Sequence, residues 1–371
     1  MLIVGAGPAG STAALNLAPT RSVLVVDSRK FDTNELIVGE SLVPAARRLL
    51  SDMGILQAFE AQGHETCHGN RSVWGDTYPV ETAHLRDPDG PGWHLDRNRF
   101  DQWLRDTAVS RGTSLASRAV MKTVDWDAST QCWQASISDG TAQRTEVLAR
   151  VLIDATGRHA SISHRLGAKV ESRERRMVCG WLNGISLAET SSTAGFTFVE
   201  AVEDGWWYTA PLPSRRRILT FYTDADLPSA RLLRSEQTLL DHASRTHYLN
   251  SILRNCGFSA GSERIHLTVS NGGRSRPAAG SHWFAVGDAA IHFDPISSQG
   301  ILNALFTGLA AAEAADRVLA GEDSGSAAEG YSNLIDGIDD AYSTHLASCY
   351  ASEERWPEHP FWERRRISSV P

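Results

Sequence analysis

Three glycines close to the N-terminus have the spacing of a dinucleotide-binding turn. Gly5, Gly7 and Gly10 follow a short apolar run and open a helix-compatible pattern, and Ala9 lies in the same turn. In such a turn the first glycine makes the bend, the second lets the backbone approach a pyrophosphate, and the third lets the helix pack closely on the strand. Asp27 ends the next apolar run, where a carboxylate accepts hydrogen bonds from a ribose. These residues predict a nucleotide site built on a βαβ unit.

Two later turns also place small residues and a carboxylate at the end of an apolar run. Asp154 and Gly157 belong to the sequence Asp-Ala-Thr-Gly, and Gly287 and Asp288 open the sequence Gly-Asp-Ala-Ala. An open α/β sheet binds its ligand at the carboxyl ends of its strands, so both turns are candidate ligand contacts. Each turn by itself is also compatible with a plain strand exit. The N-terminal turn alone leaves NAD and FAD open.

Taken together, the three turns resemble the signature of FAD-binding monooxygenases of the glutathione-reductase-like superfamily, the p-hydroxybenzoate hydroxylase-like group. The resemblance implies that Asp288 binds the ribityl chain of FAD. It also implies that Pro295 packs on or near the isoalloxazine ring. A helix that begins near Gly300 and Ile301 would then point its N-terminus at the flavin N1 and C2 carbonyl and stabilise negative charge there. Arg97 resembles the family arginine near the pyrophosphate or adenosine, with a salt bridge as its alternative role.

A narrower motif, Gly-Glu-Ser-Leu-Val-Pro, occupies residues 39–44. It resembles a segment shared by flavin-dependent tryptophan halogenases and their halogenase-like relatives, in which it lines the flavin edge. The resemblance implies that Glu40 and Ser41 contact the cofactor. A helix cap before the helical pattern that follows is the alternative, and the two roles are compatible.

Two features of true halogenases are missing. Those enzymes need a lysine between flavin and substrate, because an ammonium group must capture or polarise hypohalous acid, and the chain has no lysine between Lys30 and Lys122. Their Trp-x-Trp-x-Ile-Pro motif reads Trp-Trp-Tyr-Thr-Ala-Pro at residues 206–211. The chain is more similar to the halogenase-like monooxygenases of the LodB/QhpG type, which accompany quinone-cofactor enzymes.

That resemblance implies hydroxylation of an electron-rich aromatic substrate through a flavin C4a-hydroperoxide. The substrate would be an aromatic small molecule or a tryptophan of a partner polypeptide during quinone-cofactor biogenesis. Trp74, Trp206 and Tyr208 are candidate pocket walls, although large aromatic residues are often plain core. A halogenase and a geranylgeranyl-reductase-like reductase are alternatives, and a non-catalytic FAD-binding partner protein is an alternative from another class.

Acid–base help would come from His68, His292 or Asp294, each near a motif expected to face the flavin. No second glycine fingerprint occurs in the sequence, so a separate nicotinamide domain is not predicted. Electrons would come from NAD(P)H docking transiently or from a separate flavin reductase, and molecular oxygen would be the second substrate.

Composition narrows the class of partner. The chain has 371 residues, of which 42% are hydrophobic, and a formal net charge of −8. This charge provides no positive field for nucleic acid. Five scattered cysteines without a Cys-x-x-Cys pair predict neither a disulfide framework nor a metal site and favour a reducing cytoplasm. No apolar run is long enough to predict a membrane span. The sequence does not indicate an oligomeric state.

The elements that position these residues predict an α/β fold. We expect a Rossmann-like FAD-binding domain assembled from residues 1–70, 96–165 and 268–325. A substrate domain built on an antiparallel sheet would comprise residues 71–95 and 166–267, and residues 326–371 would form a C-terminal helical segment.

Two details near the C-terminus complete the sequence-based predictions. Ser324 to Ala328 is expected to be a short loop. The aromatic segment around Trp356, Phe361 and Trp362 would cover the pocket, dock a partner or fold onto the surface, and the sequence does not separate these roles.

Overall fold

The glycine turn at the N-terminus joins the first strand and helix of a parallel βαβ unit. The structure, a computed structural model, describes residues 1–31, 37–140, 144–172, 177–188, 195–260 and 264–367. In chain order its strands are β1 (Leu2–Val4), β2 (Leu24–Asp27), β3 (Ser41–Leu42), β4 (Glu65–Cys67), β5 (Gly69–Val73), β6 (Val80–Ala83), β7 (Gly92–His94), β8 (Ser114–Ser117), β9 (Val120–Asp127), β10 (Cys132–Ser138), β11 (Arg144–Ala149), β12 (Leu152–Asp154), β13 (Lys169–Ser172), β14 (Met177–Ser186), β15 (Phe196–Val202), β16 (Gly205–Leu212), β17 (Arg216–Asp224), β18 (Phe258–Ser259), β19 (His266–Val269), β20 (Gly273–Arg276), β21 (Ala279–Gly280), β22 (Trp283–Ala285) and β23 (Ile291–His292).

The α-helices separate and cover these strands. In chain order they are α1 (Pro8–Leu17), α2 (Ala46–Asp52), α3 (Leu56–Glu60), α4 (Arg97–Ser110), α5 (Ser161–Arg165), α6 (Glu236–Ala243), α7 (Tyr248–Asn255), α8 (Gly300–Leu319), α9 (Ser324–Ala351) and α10 (Pro360–Ile367). Among the residues described, no helix combines the length and apolarity that crossing a membrane requires.

The nucleotide half is a six-stranded sheet in the order β21-β22-β12-β1-β2-β8. Strands β22, β12, β1, β2 and β8 run parallel, and Ile3 lies opposite both Val25 and Ile153. These three side chains are buried, as expected for a parallel sheet covered on both faces. Because β1, β12 and β22 are neighbours with the same direction, the three turns that follow them meet at one edge of the sheet.

Two helices from opposite ends of the sequence pack together above that edge. Gly308 on α8 lies so close to α1 that a Cβ atom there would come 2.5 Å from the carbonyl oxygen of Ala9. The small residues of both helices therefore allow their N-termini to approach the same point.

The second half is an antiparallel sheet in the order β18-β14-β17-β16-β15-β5-β6, with β19 also paired to β14. The β15–β5 pair is parallel. Strands β16 and β17 are buried along nearly their whole length, since one face meets the nucleotide half and the C-terminal helices while the other meets α6 and α7. The α/β class with discontinuous segments and an antiparallel sheet is thus confirmed. The exact domain boundaries stay predictions.

The C-terminal region differs from one sequence-based prediction. Ser324 to Ala328 is not a loop, because α9 begins at Ser324 and Asp323 caps it by accepting the Ser326 N–H at 2.8 Å. A run of small residues is typical of a loop, so the sequence did not indicate that a helix begins here. Helix α10 folds onto the antiparallel sheet, where the Trp362 indole donates to the Val202 carbonyl at 3.0 Å.

Candidate active site

A cavity of about 400 Å³ lies between the carboxyl edge of the parallel sheet and the antiparallel sheet. It is lined by many of the residues predicted from the sequence: Gly7, Ala9, Glu40, Ser41, Arg97, Gly157, Tyr208, Gly287, Asp288, Asp294, Pro295, Gly300 and Ile301. The remaining predicted residues do not line it: Gly5, Gly10, Asp27, His68, Trp74, Asp154, Trp206 and His292. The motifs thus converge on one space, although not every member faces it.

Two helix N-termini open into this cavity. Neither α1, which follows Gly7, nor α8, which follows Gln299, has a side-chain cap among the described residues. Residues at both ends line the cavity. Unsatisfied N–H groups and the positive end of the helix dipole favour an anion at each point. An FAD molecule carries a pyrophosphate and a ring that becomes anionic when reduced, so the cavity fits this cofactor.

The glycines of the first turn have two different roles. A Cβ atom on Gly5 would lie 2.1 Å from the Ala155 carbonyl oxygen, and one on Gly10 would lie 2.0 Å from the Gly5 carbonyl oxygen. These two glycines therefore let β1, α1 and the Asp154 turn approach each other. Gly7 faces the cavity, where the atom nearest to an added Cβ would be 4.0 Å away, on Arg29. It leaves room for a ligand.

Asp27 is buried beside the first turn, but its carboxylate is already engaged. It accepts the Ala6 N–H at 2.7 Å and pairs with the Arg29 guanidinium at 3.0 Å. Burial alone would raise the pKa of Asp27, but the hydrogen bonds from Arg29 and Ala6 outweigh it and lower the pKa. A ribose at this point would have to share the carboxylate with Arg29.

Asp154 differs from the prediction that it contacts the cofactor. One carboxylate oxygen accepts the hydroxyl and N–H of Thr156, and the other accepts the hydroxyl and N–H of Ser163 at 2.6 and 2.7 Å. Asp154 therefore holds the turn and the start of α5 in place. Gly157, three residues later, reaches the cavity with open space at its Cα.

Arg158, which was not predicted from the sequence, lies in the wall of the cavity. Arg158 follows Gly157, pairs with Asp288 at 3.2 Å and donates to the Asn271 carbonyl at 2.7 Å. It joins the second and third turns, so the ion pair fixes the position of Asp288. Its place directly after the Asp-Ala-Thr-Gly turn was the available signal.

Arg97 lines the cavity from α4 and also supports the loop before Glu40. It pairs with Asp101 at 3.0 Å and donates to the carbonyl oxygens of Val38 and Gly39 at 3.2 and 2.7 Å. Arg97 therefore lines the cavity and forms an ion pair within α4, and its contact with a pyrophosphate or adenosine stays a prediction.

Glu40 and Tyr208 form a buried hydrogen-bonded pair in the wall. The Tyr208 hydroxyl donates to the Glu40 carboxylate and lies 2.9 Å from the Ser41 hydroxyl. Burial raises the pKa of Glu40, although the hydrogen bond from Tyr208 lowers it in part. Burial and the Glu40 charge also raise the pKa of Tyr208 well above its usual value. A buried carboxyl group with a raised pKa is a candidate proton donor or acceptor.

Asp294 lies in the cavity wall, and hydrogen bonds within the chain engage both of its oxygens. One oxygen accepts the Ile296 N–H at 2.9 Å and the other accepts the Tyr350 hydroxyl at 2.7 Å. Its own N–H donates to the Tyr342 hydroxyl at 2.6 Å. Burial raises the pKa of Asp294. Through these contacts Asp294 fixes the Pro295 turn against α9.

The two histidines predicted as acid–base residues lie outside the cavity. His68 is exposed just before β5, with its ring 6.4 Å from that of Phe196. His292 is buried on β23, with Nδ1 3.2 Å from the Asp288 carbonyl oxygen. The expectation that both face the flavin is therefore corrected, because nearness to a motif in sequence did not orient either ring toward it.

The aromatic wall also differs from the prediction. Trp206 belongs to a buried cluster behind the cavity and the partly buried Trp74 packs against it, whereas Tyr208 and the unpredicted Tyr222 line the cavity. Trp206 stacks on Tyr222 with ring centroids 3.8 Å apart. Cys179, whose Sγ accepts the Ser270 hydroxyl at 3.2 Å, completes this side, and burial raises its pKa to about 11.

Comparisons with known proteins show which family the chain belongs to. The family model described as tryptophan halogenase matches residues 78–371. The putative FAD-dependent oxidoreductase LodB of Marinomonas mediterranea is 27% identical over 384 residues, covering 100% of this chain and 97% of the relative. Tryptophan 2-halogenase of Chondromyces crocatus is 25% identical, covering 99% and 70%.

Solved structures share the fold. The flavin-dependent halogenase CmlS superposes with a TM-score of 0.86 at 25% identity, covering 99% of this chain and 67% of CmlS. The peptidyl tryptophan dihydroxylase QhpG has a TM-score of 0.75 at 23% identity, covering 98% and 78%. The predicted resemblance, the flavin cofactor and the enzyme class are confirmed. The chain belongs to the tryptophan halogenase family of FAD-dependent oxidoreductases.

Proposed function

We propose that this chain is a monooxygenase that hydroxylates an electron-rich aromatic ring, and that its substrate is a tryptophan side chain in a partner polypeptide. Similarity to LodB extends over the whole chain. QhpG, which shares the fold, acts on a peptidyl tryptophan in tryptophylquinone biogenesis. One observation carries the proposal: among the described lining residues, the cavity presents a buried carboxylate, Glu40, and no lysine.

The residues that would hold FAD are those at the two open helix ends. Gly7 and the N-terminus of α1 suit the pyrophosphate, and Pro295 with the N-terminus of α8 suits the isoalloxazine ring. FAD supplies the activation of oxygen once it has been reduced, and a separate flavin reductase is the typical source of electrons in the family. Arg158 and Asp288 fix the loops around this position.

The aromatic side of the cavity suits a flat ring. Tyr208, Tyr222 and Phe293 line it together with Cys179. Aromatic side chains hold a ring by stacked or edge contacts and exclude water from the reacting edge. This wall would orient an indole toward the flavin, which is a positioning contribution.

Glu40 is the residue we assign to proton transfer. When oxygen adds to an aromatic carbon, that carbon must release its proton to restore the ring. Glu40 is 3% exposed and its pKa is raised, so its carboxylate binds a proton more tightly than a free glutamate and can accept the proton that the ring releases. Tyr208 keeps the carboxylate oriented through its hydrogen bond.

Halogenation is the second candidate, because the family model and a 25% identical relative are tryptophan halogenases. The chain contains three lysines, Lys30, Lys122 and Lys169, and none of them lines the cavity. An ammonium group that could hold an oxidised halogen next to the substrate is therefore lacking among the described lining residues. This favours oxygen transfer.

The experiment compares products directly. The purified protein would receive FAD, a flavin reductase with NADH, oxygen, and peptides covering the tryptophans of proteins encoded beside it, with free tryptophan as a second probe. Mass spectrometry should find oxygen added to a peptide tryptophan, with the same yield with and without chloride or bromide. Halide-dependent addition of halogen, or unchanged peptides despite flavin reoxidation, would overturn the proposal. Glu40→Gln is the matched variant.

A further inference from the structure

A continuous series of aromatic side chains leads from the cavity to the protein surface. Tyr222 lines the cavity and stacks on Trp206 at 3.8 Å between ring centroids. Trp206 is followed by Trp74 at 6.3 Å, and Trp74 by Trp362 at 5.2 Å. The series ends at Trp356, which lies 6.2 Å from Trp362 and is partly exposed.

The inner members have no strong base to take an indole proton. The Trp74 indole donates to the Cys349 carbonyl at 2.8 Å, and that of Trp362 donates to the Val202 carbonyl at 3.0 Å. The Trp206 indole nitrogen has no hydrogen-bond partner among the described residues. An oxidised indole at these positions would remain a protonated radical cation. It would be reduced again by an electron from the next ring of the series. Trp74 and Trp356 are both partly exposed, but the Trp74 indole N–H is engaged by the Cys349 carbonyl, so proton loss to water is expected at Trp356.

We propose that this series conducts single oxidising equivalents from the flavin cavity to the surface. The oxidant in the cavity, a photoexcited oxidised flavin or a reactive oxygen species formed without substrate, gains one electron from the Tyr222–Trp206 stack. Electrons then move inward one step at a time from Trp74, Trp362 and Trp356. Trp356 releases its indole proton to water, and a thiol in solution returns the electron and the proton as a hydrogen atom.

A second aromatic group on the other face of the sheet provides a comparison for the series. Trp207 lies next to Trp206 on β16 and is equally buried, and its indole nitrogen also lacks a partner within the described part of the chain. It points to the opposite face of the sheet, where it contacts Phe221 and His242. That group belongs to a separate cluster that does not reach the cavity. Trp207 is therefore a matched control for the conducting series.

The test uses the full-length chain loaded with FAD and needs no hydroxylation activity. After a light flash, wild type should show quenched flavin fluorescence and a long-lived tryptophan radical by transient absorption, and added thiol should shorten its life. Trp74→Phe should keep the early quenching and lose most of the long-lived radical. Trp207→Phe should behave as wild type. A radical that survives in Trp74→Phe, or an equal loss in both variants, would overturn the proposal.

A second variant guards against misfolding of the core. Trp356→Phe changes a partly exposed ring, and it should still form a radical that decays faster and no longer responds to thiol. Peptide mapping after repeated flavin reduction in air, without aromatic substrate, should find oxidation concentrated at Trp356 in wild type and shifted to Tyr222 or Trp206 in Trp74→Phe. Random oxidation of exposed residues in both proteins contradicts the series. These readouts require only bound flavin, so they stand apart from the test of hydroxylation.

Discussion

The Tyr208 hydroxyl, on the antiparallel sheet, donates a hydrogen bond to the buried carboxylate of Glu40, on the segment that connects to the nucleotide half. The pair joins the two halves of the molecule across the cavity. Burial raises the pKa of the Glu40 carboxyl, and the hydrogen bond from the Tyr208 phenol lowers this pKa again in part.

Replacing Glu40 tests its assigned role. Glu40→Gln keeps the size of the side chain and removes the proton acceptor, so product formation should fall by about 100-fold or more. Flavin fluorescence should show that the variant still binds FAD, which separates loss of proton transfer from loss of the cofactor. In wild type the rate should rise with pH as Glu40 ionises, through a midpoint above the usual glutamate range. The variant should lack this step, and a variant that retained it would show that another group titrates.

Tyr208→Phe should move the same step in a defined direction. The phenol hydrogen bond lowers the pKa of Glu40, so its loss should raise the pKa and shift the rising limb of the pH–rate profile to higher pH. The sign is fixed because the carboxylate loses a donor. A profile that moves to lower pH contradicts the pairing. Thermal unfolding of the variant serves as the control for folding.

Substitution of two glycines in the first turn should have different effects, one on FAD binding and the other on stability. Gly7→Ala places a methyl with no protein atom closer than 4.0 Å, so the apo protein should keep its stability while FAD binding weakens by about tenfold, near 1.4 kcal/mol. Gly10→Ala places a methyl 2.0 Å from the Gly5 carbonyl oxygen and should lose about 3 kcal/mol of unfolding free energy. Calorimetry with and without FAD separates these outcomes. Equal stability loss in both variants would contradict the assignment.

A buried ion pair attaches the C-terminal helix. Arg365 on α10 donates to Asp224 at 2.8 Å, and both side chains are nearly inaccessible. Arg365→Leu removes a cation that neutralises the buried Asp224 carboxylate. It should lower the free energy of unfolding, measured with urea, by about 3 kcal/mol. The exposed pair between Arg317 and Glu322 provides the comparison, and Arg317→Ala should change stability by less than about 1 kcal/mol.

His94 should make the fold sensitive to acid. Burial lowers the pKa of His94 from 6.5 to about 3, so the unfolded chain takes up a proton that the folded chain refuses. Stability should therefore decline as the pH falls through this window, by up to about 1.4 kcal/mol per pH unit from this residue. Urea titrations of wild type and His94→Gln should show a smaller decline in the variant. An identical decline would exclude His94 as a source.

The sequence predicted the parts of the site that depend on local chemistry. Gly5 and Gly10 identify their turn because only glycine tolerates such close backbone approaches, and Gly7 does so because it leaves room for a ligand. The start of helix α8 was predicted near Gly300, where the helix begins in the structure. Glu40 was predicted from its motif as a cofactor contact, and the structure places it in the cavity wall.

The parts it could not predict depend on pairing between distant strands. Tyr222 enters the cavity because β17 pairs with β16 in the register that sets it opposite Trp206. His68 was misjudged for the same reason, as pairing of β5 with β15 places its segment at the exposed end of the sheet. No local pattern carries this information.

The two tyrosines of α9 that hold the Asp294 turn have a consequence for biosynthesis. Tyr342 and Tyr350 lie about fifty residues downstream of the loop that they support. These contacts can form only after both tyrosines have been synthesised, so translation reaches the last support of the loop well after the loop itself.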